Sequence, residues 1–173
     1  MAKIQAEMVN ALNAQVAREF QAAQNYLAMA VDLDGRSLEY LAAFFYAQSN
    51  EEREHAMKIV RYLLEVGERP VVPALDEPQG SFEGIEEITR ASLEQEQAVT
   101  AAIHELADAA FEARDHTTQR FLDWFVTEQV EEEATFGKLL DIIGMSQNVL
   151  QVEHYVRHMM GAEGGDDSEG AEH

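Results

Sequence analysis

Apolar positions recur in alternating steps of four and three along four long stretches of this chain, the spacing of one buried helical face. The first stretch reads Leu12, Val16, Glu19, Ala23, Tyr26, Ala30. The second reads Leu41, Phe45, Gln48, Glu52, His55, Ile59, Tyr62, and the third Ile85, Thr89, Ser92, Glu96, Val99, Ile103, Leu106. The fourth reads Phe121, Phe125, Glu128, Glu132, Thr135, Leu139, Ile142. These seams predict helices over roughly Ile4 to Leu33, Ser37 to Val66, Ser81 or Glu83 to Glu112, and Asp115 or Thr117 to Gly144. Ser37 is the expected cap of the second helix, and Gly67 its stop. Ser146 is expected to cap a short fifth helix ending near Met160. Four such faces closing on one another make an all-α four-helix bundle with a short fifth helix.

Loop lengths predict how the bundle is threaded. The turns around Gly35 and Arg114 are short, so each joins an antiparallel pair. All three prolines, Pro70, Pro73 and Pro78, fall in the one long interruption between the second and third helices. A helix of this size is roughly 43 Å long at about 1.5 Å per residue. An extended segment of about 16 residues reaches roughly 50 Å. The interruption can therefore cross the whole bundle and set the second and third helices parallel, which gives a long structureless segment its reason.

At 173 residues the chain is one domain, read as a bundle plus C-terminal helix over residues 1–160 and a disordered acidic tail over 161–173. The net charge is −21, and the tail's five acids leave −16 on the rest, so the tail does not account for the acidity. Such a surface repels a polyanion and suits cations, which argues against nucleic acid as a partner. There is no cysteine, so disulfides and thiolate metal sites are excluded, and a metal here needs O and N ligands. The first residues do not read as a signal peptide, and no stretch approaches the roughly 20 apolar residues of a membrane span. The expected location is the cytoplasm.

Each seam carries a carboxylate near its middle, and the heights match. Glu19 lies 16 residues before Gly35 and Glu52 lies 17 after it; Glu96 and Glu132 each lie 18 from Arg114. Packed side by side, the two hairpins would bring these acids into one cluster inside the bundle. Burying ionised carboxylates together costs several kcal/mol each, and no Lys or Arg lies on the seams to offset it. Cations would. Glu52 and His55, at i and i+3, share a helix face and can reach one metal while Glu52 bridges to a second. Oxygen ligands with one imidazole suit iron or manganese, with zinc a further option. Tyr26, one heptad after Glu19, is placed for a redox or hydrogen-bonding role beside the metals, and Trp124 is expected to pack in the core.

The stretches REFQAAQNYLAMAV, SNEEREHAMKIVRYLLEVG, LEQEQAVTAAIHELA and FLDWFVTEQVEEEATF resemble the non-haem bacterial ferritins, and the resemblance runs from the first helix to the fifth. It implies a ferritin-like bundle whose ferroxidase centre holds one iron on Glu19, Glu52 and His55 and a second on Glu52, Glu96 and Glu132, with Gln129 close by. It further implies a third iron position at Glu51, Glu128 and Glu131, and catalytic parts for Tyr26, Glu52 and His55. EQVEEE is equally readable as a solvated acidic face. Bacterioferritins place a haem-ligating Met between the Glu and His of the second helix; here the interval is Arg53-Glu54, so no haem is expected. Where related di-iron proteins carry a second Glu-x-x-His in the last bundle helix, Glu132 stands instead.

The resemblance implies an iron-storage protein that oxidises Fe(II) with oxygen or hydrogen peroxide and keeps the product as ferric oxyhydroxide in a hollow homo-oligomeric shell of 24 subunits. A di-iron oxidoreductase without storage is the alternative. The acids that line the three-fold pores of animal ferritins are matched here by Gln119 and Leu122.

Overall fold

The structure is a computed structural model and describes residues 4–163 of the chain. Five helices follow one another: α1 Ala6–Gly35, α2 Glu39–Glu65, α3 Ile85–Glu112, α4 His116–Met145 and α5 Val149–Glu163. No strand occurs among the described residues. The predicted all-α bundle with one long crossover and a short fifth helix is therefore the observed architecture. The first residues of the predicted tail continue α5 as far as Glu163; the rest of that tail lies outside the described residues.

The α1–α2 turn is closed by backbone bonds from Ser37 N–H to Asp34 O at 2.9 Å and from Leu38 N–H to Leu33 O at 3.1 Å. Ser37 takes the left-handed conformation, φ 61°, to make them. It lies one residue before the N-cap, which is Leu38, so the expected Ser37 cap does not form. An apolar N-cap would leave the first N–H groups of α2 orphaned. Glu153 of α5 satisfies two of them: its carboxylate accepts from Leu41 N–H at 2.7 Å and from Tyr40 N–H at 3.1 Å. A negative charge at that end also meets the positive pole of the α2 dipole. Val152 and Val156 bury beside it against the α1–α2 end of the core. Glu153→Ala is expected to cost about 1–2 kcal/mol, the usual loss for a removed cap, read by urea denaturation at pH 7. A loss confined to a few tenths would mean that water replaces the carboxylate.

Gly67 ends α2 in the left-handed conformation, φ 81°, with Glu68 N–H donating to Leu63 O at 2.8 Å. The segment that follows climbs α1 from its start to its end. Val71 N–H donates to Asn13 Oδ1 at 2.7 Å, Asp76 N–H to Gln21 Oε1 at 2.8 Å, and Arg36 donates to the carbonyls of Phe82 and Glu83. That path spans the bundle and sets α2 and α3 parallel, as the loop length requires. α3 starts at Ile85 with Gly84 as N-cap, later than the sequence suggests. Asp115 caps α4, accepting from Thr118 N–H at 3.0 Å. Ser146 does not cap α5. Its hydroxyl donates back to Ile142 O at 2.7 Å, and Asn148 supplies the oxygen for Gln151 N–H at 3.2 Å.

The inward faces of α1 and α2 are those read from the seams, and every seam residue named there is buried. In α4 the buried line is Thr118, Leu122, Phe125, Gln129, Glu132, Phe136 and Leu139. Phe121, Glu128 and Thr135 stand on its shoulder, so the predicted phase of this helix is corrected by one position at alternate steps. The buried apolar side chains form two clusters. One gathers Tyr26, Leu33, Leu41, Phe45, Ile88 and Phe136; the other gathers Leu12, Val16, Ile59, Ile103, Leu122 and Phe125. Between them lies a layer of polar side chains.

Candidate metal centre

That layer consists of Gln15 and Glu19 from α1, Glu52 and His55 from α2, Glu96 from α3, and Gln129 and Glu132 from α4, all buried. Glu96 is 0 % exposed, and Glu19 and Glu52 are 1 % exposed each. The helices hold the acids in place because the two apolar clusters that flank the layer fix each helix in register with its neighbours. Four carboxyls in so dry a place repel one another, and the physics shows in their acidities. Burial raises Glu19 to about 7 against hydrogen bonding from Gln15, and burial with the charges of Glu96 and Glu51 raises Glu132 to about 9. Glu52 and Glu96 are also pushed upward, in both cases first by burial. His55 is driven down to about 4, by burial and then by the nearby Lys58, so its imidazole is neutral and its ring nitrogen is free to act as a ligand.

The donor atoms converge. One carboxylate oxygen each from Glu19 and Glu52 and a ring nitrogen of His55 lie within 4.8 Å of one another. A second group within the same limit joins Glu51, His55, Glu128 and Glu132. Glu52 Oε2 lies 3.3 Å from His55 Nδ1, and neither it nor Glu19 Oε2 has a hydrogen-bond partner although both are buried. Unpartnered buried carboxylate oxygens are expensive unless something cationic completes them. The residues present thus fit a hard cation of charge two or three.

Glu96 belongs to neither group. Its oxygens receive the Tyr26 hydroxyl and, at 3.2 Å, Gln129 Nε2, which also lies 3.3 Å from Thr100 Oγ1. Its charge still contributes to raising Glu52 and Glu132, so it faces the same space. Tyr26 is fully buried and stacks on Phe136 at 5.6 Å, which aims its hydroxyl at Glu96. Of the acids assigned by resemblance to a third position, Glu51 and Glu128 come together with His55 and Glu132, whereas Glu131 is exposed and joins neither group.

Three neighbours of the acids have parts that sequence reasoning does not assign: Gln15 goes unnamed, Gln48 is placed on the seam without a partner, and Trp124 is expected in the core. Gln15 Nε2 donates to Glu19 Oε1 at 2.8 Å, and Gln48 Nε2 to Glu51 Oε2 at 2.8 Å. Both are one turn from a seam acid, a spacing that was there to be read. Trp124 is the third. It is not a core residue but 36 % exposed, with its ring edge-on to His55 at 5.2 Å and the Lys58 ammonium 3.9 Å above it. With Glu51, Glu54, Arg61 and Glu128 these residues line a cavity of about 300 Å³ that reaches His55 from the surface.

An apolar bundle cut by a layer of acids and one imidazole defines the class of helical carboxylate metalloproteins. Comparison with known proteins narrows the class. The ferritin-like domain family matches residues 9–145, and the chain belongs to the ferritin family. It is 42 % identical over 147 residues to a bacterial non-haem ferritin of Staphylococcus saprophyticus, covering 83 % of this chain and 88 % of that one. It is 39 % identical over 153 residues to ferritin BfrB of Mycolicibacterium smegmatis, covering 88 % and 84 %. An open-pore ferritin from the hyperthermophilic archaeon Archaeoglobus fulgidus superposes with a TM-score of 0.86 at 34 % identity, over 90 % of this chain and 98 % of that one. Among the described residues no helix is long and apolar enough to cross a membrane.

Proposed function

We propose that this chain is a subunit of an iron-storage shell and oxidises Fe(II) at the carboxylate layer before the iron is stored. The observation that carries the reading is the pair of buried, unpartnered oxygens on Glu19 and Glu52, facing His55 between two sealed apolar clusters. Glu19, Glu52 and His55 hold one Fe(II). Glu52, Glu96 and Glu132 hold the second, with Glu52 as the bridge and Gln129 orienting Glu96. Iron is the substrate and the cargo. Two Fe(II) give up one electron each to dioxygen, which takes two protons and leaves as hydrogen peroxide. With hydrogen peroxide as oxidant, the same two electrons and two protons give two waters. The carboxylates favour the product because a hard trivalent ion gains more from anionic oxygen than a divalent one.

The proton balance follows from the acidities. Carboxyls raised by burial hold protons while the layer is free of cations and release them as Fe(II) binds. Glu51 and Glu128, at the surface end of the layer, lead from the centre towards the cavity lined by Trp124, and serve there as a third position for iron in transit to the mineral. Its mineral is ferric oxyhydroxide, its shell a homo-oligomer of 24 subunits, and its compartment the cytoplasm.

Aerobic loading followed by sizing tests the storage half of the proposal. On adding several hundred Fe(II) per assembly in air, iron is expected to co-elute with a large particle that also contains the protein. Elution of the chain as a small dimer, with the iron lost as precipitate, would leave a di-iron oxidoreductase without a store.

A further inference from the structure

Outside the carboxylate layer, the described residues hold one pair of imidazoles in contact. His154 and His158 lie at i and i+4 on the exposed face of α5, with their Nε2 atoms 3.1 Å apart and their ring centroids 4.4 Å apart. Two neutral rings in this position share one proton between facing nitrogens. A metal ion takes the place of that hydrogen bond when the donor ring carries its proton on Nδ1 instead of Nε2, so that both rings are neutral Nδ1–H tautomers and both Nε2 lone pairs are free. The distance suits it: two nitrogens each about 2.0–2.1 Å from one ion are roughly 2.9 Å apart at a right angle and about 3.4 Å apart at the tetrahedral angle. We propose that His154 and His158 form a bidentate site for a divalent transition metal of the copper, nickel or zinc type, separate from the iron centre.

The surroundings leave the pair available. Glu153, the neighbouring acid, is committed to the N–H groups of Tyr40 and Leu41. The Arg157 guanidinium lies over the Tyr40 ring at 5.3 Å rather than over the histidines. The remaining metal positions therefore go to water. Two imidazoles without a carboxylate select copper, nickel and zinc over Fe(II), calcium or magnesium. α5 packs on the start of α2 near Leu41, and Glu52 is eleven residues further, roughly 16 Å along the helix. The two sites are therefore independent. A metal across one turn also staples the helix whose Glu153 caps α2.

Copper(II) serves as the probe, added to the full-length protein at pH 7.5 and followed by electron paramagnetic resonance. One ion per chain with hyperfine coupling to two nitrogens is expected, a signature the iron centre cannot give because it contains a single imidazole. His154→Gln and His158→Gln should each reduce the coupling to one nitrogen and weaken binding roughly a hundredfold, the loss expected when a second, tethered ligand is removed. Both variants should oxidise Fe(II) at the parent rate. Two-nitrogen coupling that survives in both variants, or is absent from the parent, would overturn the assignment.

Discussion

Replacing Glu52 with Gln is expected to slow Fe(II) oxidation by on the order of a hundredfold or more, equivalent to losing about 3 kcal/mol of transition-state stabilisation. Glu52 is the residue proposed to touch both ions, and a neutral amide can neither bridge them nor offset the charge of the ferric product. The shape of the side chain is nearly unchanged, so the packing of the two apolar clusters should survive. A second readout separates chemistry from folding. Glu52 is unpartnered at Oε2, and its pKa is raised first by burial and then by the charges of Glu96 and Glu19. A glutamine at this place needs neither a buried charge nor a held proton, so metal-free Glu52→Gln should melt at or above the temperature of the parent at pH 8. Stopped-flow oxidation at two Fe(II) per chain, paired with the melt, decides it. Parent-like oxidation in a folded Glu52→Gln protein, and also in His55→Ala, would remove the centre from this layer.

In the absence of metal, stability should fall as pH rises above neutrality, and Fe(II) should reverse the fall. Glu19 moves from 4.5 to about 7 on folding and Glu132 from 4.5 to about 9. A raised carboxyl keeps a proton in the folded state that the unfolded state has lost. Its favourable contribution is complete below 4.5 and disappears as pH passes the folded value. His55 acts oppositely, moving from 6.5 to about 4, so its contribution is complete above 6.5 and lost on acidification towards 4. Between 4.5 and 6.5 the two effects oppose each other. From 6.5 to 9 only the carboxyls titrate, and each still-protonated one lowers stability by roughly 1.4 kcal/mol per pH unit. Melting of the metal-free protein from pH 6.5 to 9 should thus shift steadily down. Anaerobic Fe(II) at a hundredfold excess over its dissociation constant should restore about 2.7 kcal/mol. A flat profile in that window would mean that the acids are ionised and solvated in the folded state.

Much of this arrangement is legible in the sequence. The seams of α1 and α2 are uninterrupted heptads flanked by clear turns, so Glu19, Glu52, His55 and Tyr26 could be placed on the inner face by counting alone. Nearly equal distances, 16 and 17 residues from Gly35 against 18 and 18 from Arg114, level Glu96 and Glu132 with them. Helix α4 resisted because both edges of its inner face carry plausible residues. Phe121 or Leu122, Glu128 or Gln129 and Thr135 or Phe136 each satisfy the period, and only packing against α2 and α3 chooses between them. The caps resisted for another reason. Ser37 and Ser146 have the right chemistry, but Ser37 is displaced by the tightness of its turn and Ser146 turns back to Ile142. The donors at the start of α2 are answered by Glu153, more than a hundred residues away. No local pattern encodes a cap of that kind, nor the exposure of Trp124 above His55.

The most direct test of the centre is to locate the iron. Crystals soaked anaerobically with Fe(II) and measured across the iron absorption edge should show two anomalous peaks within the bundle of each chain, one among Glu19, Glu52 and His55 and one among Glu52, Glu96 and Glu132. Iron found only on the acidic surface, with the layer between the two apolar clusters left empty, would contradict the account.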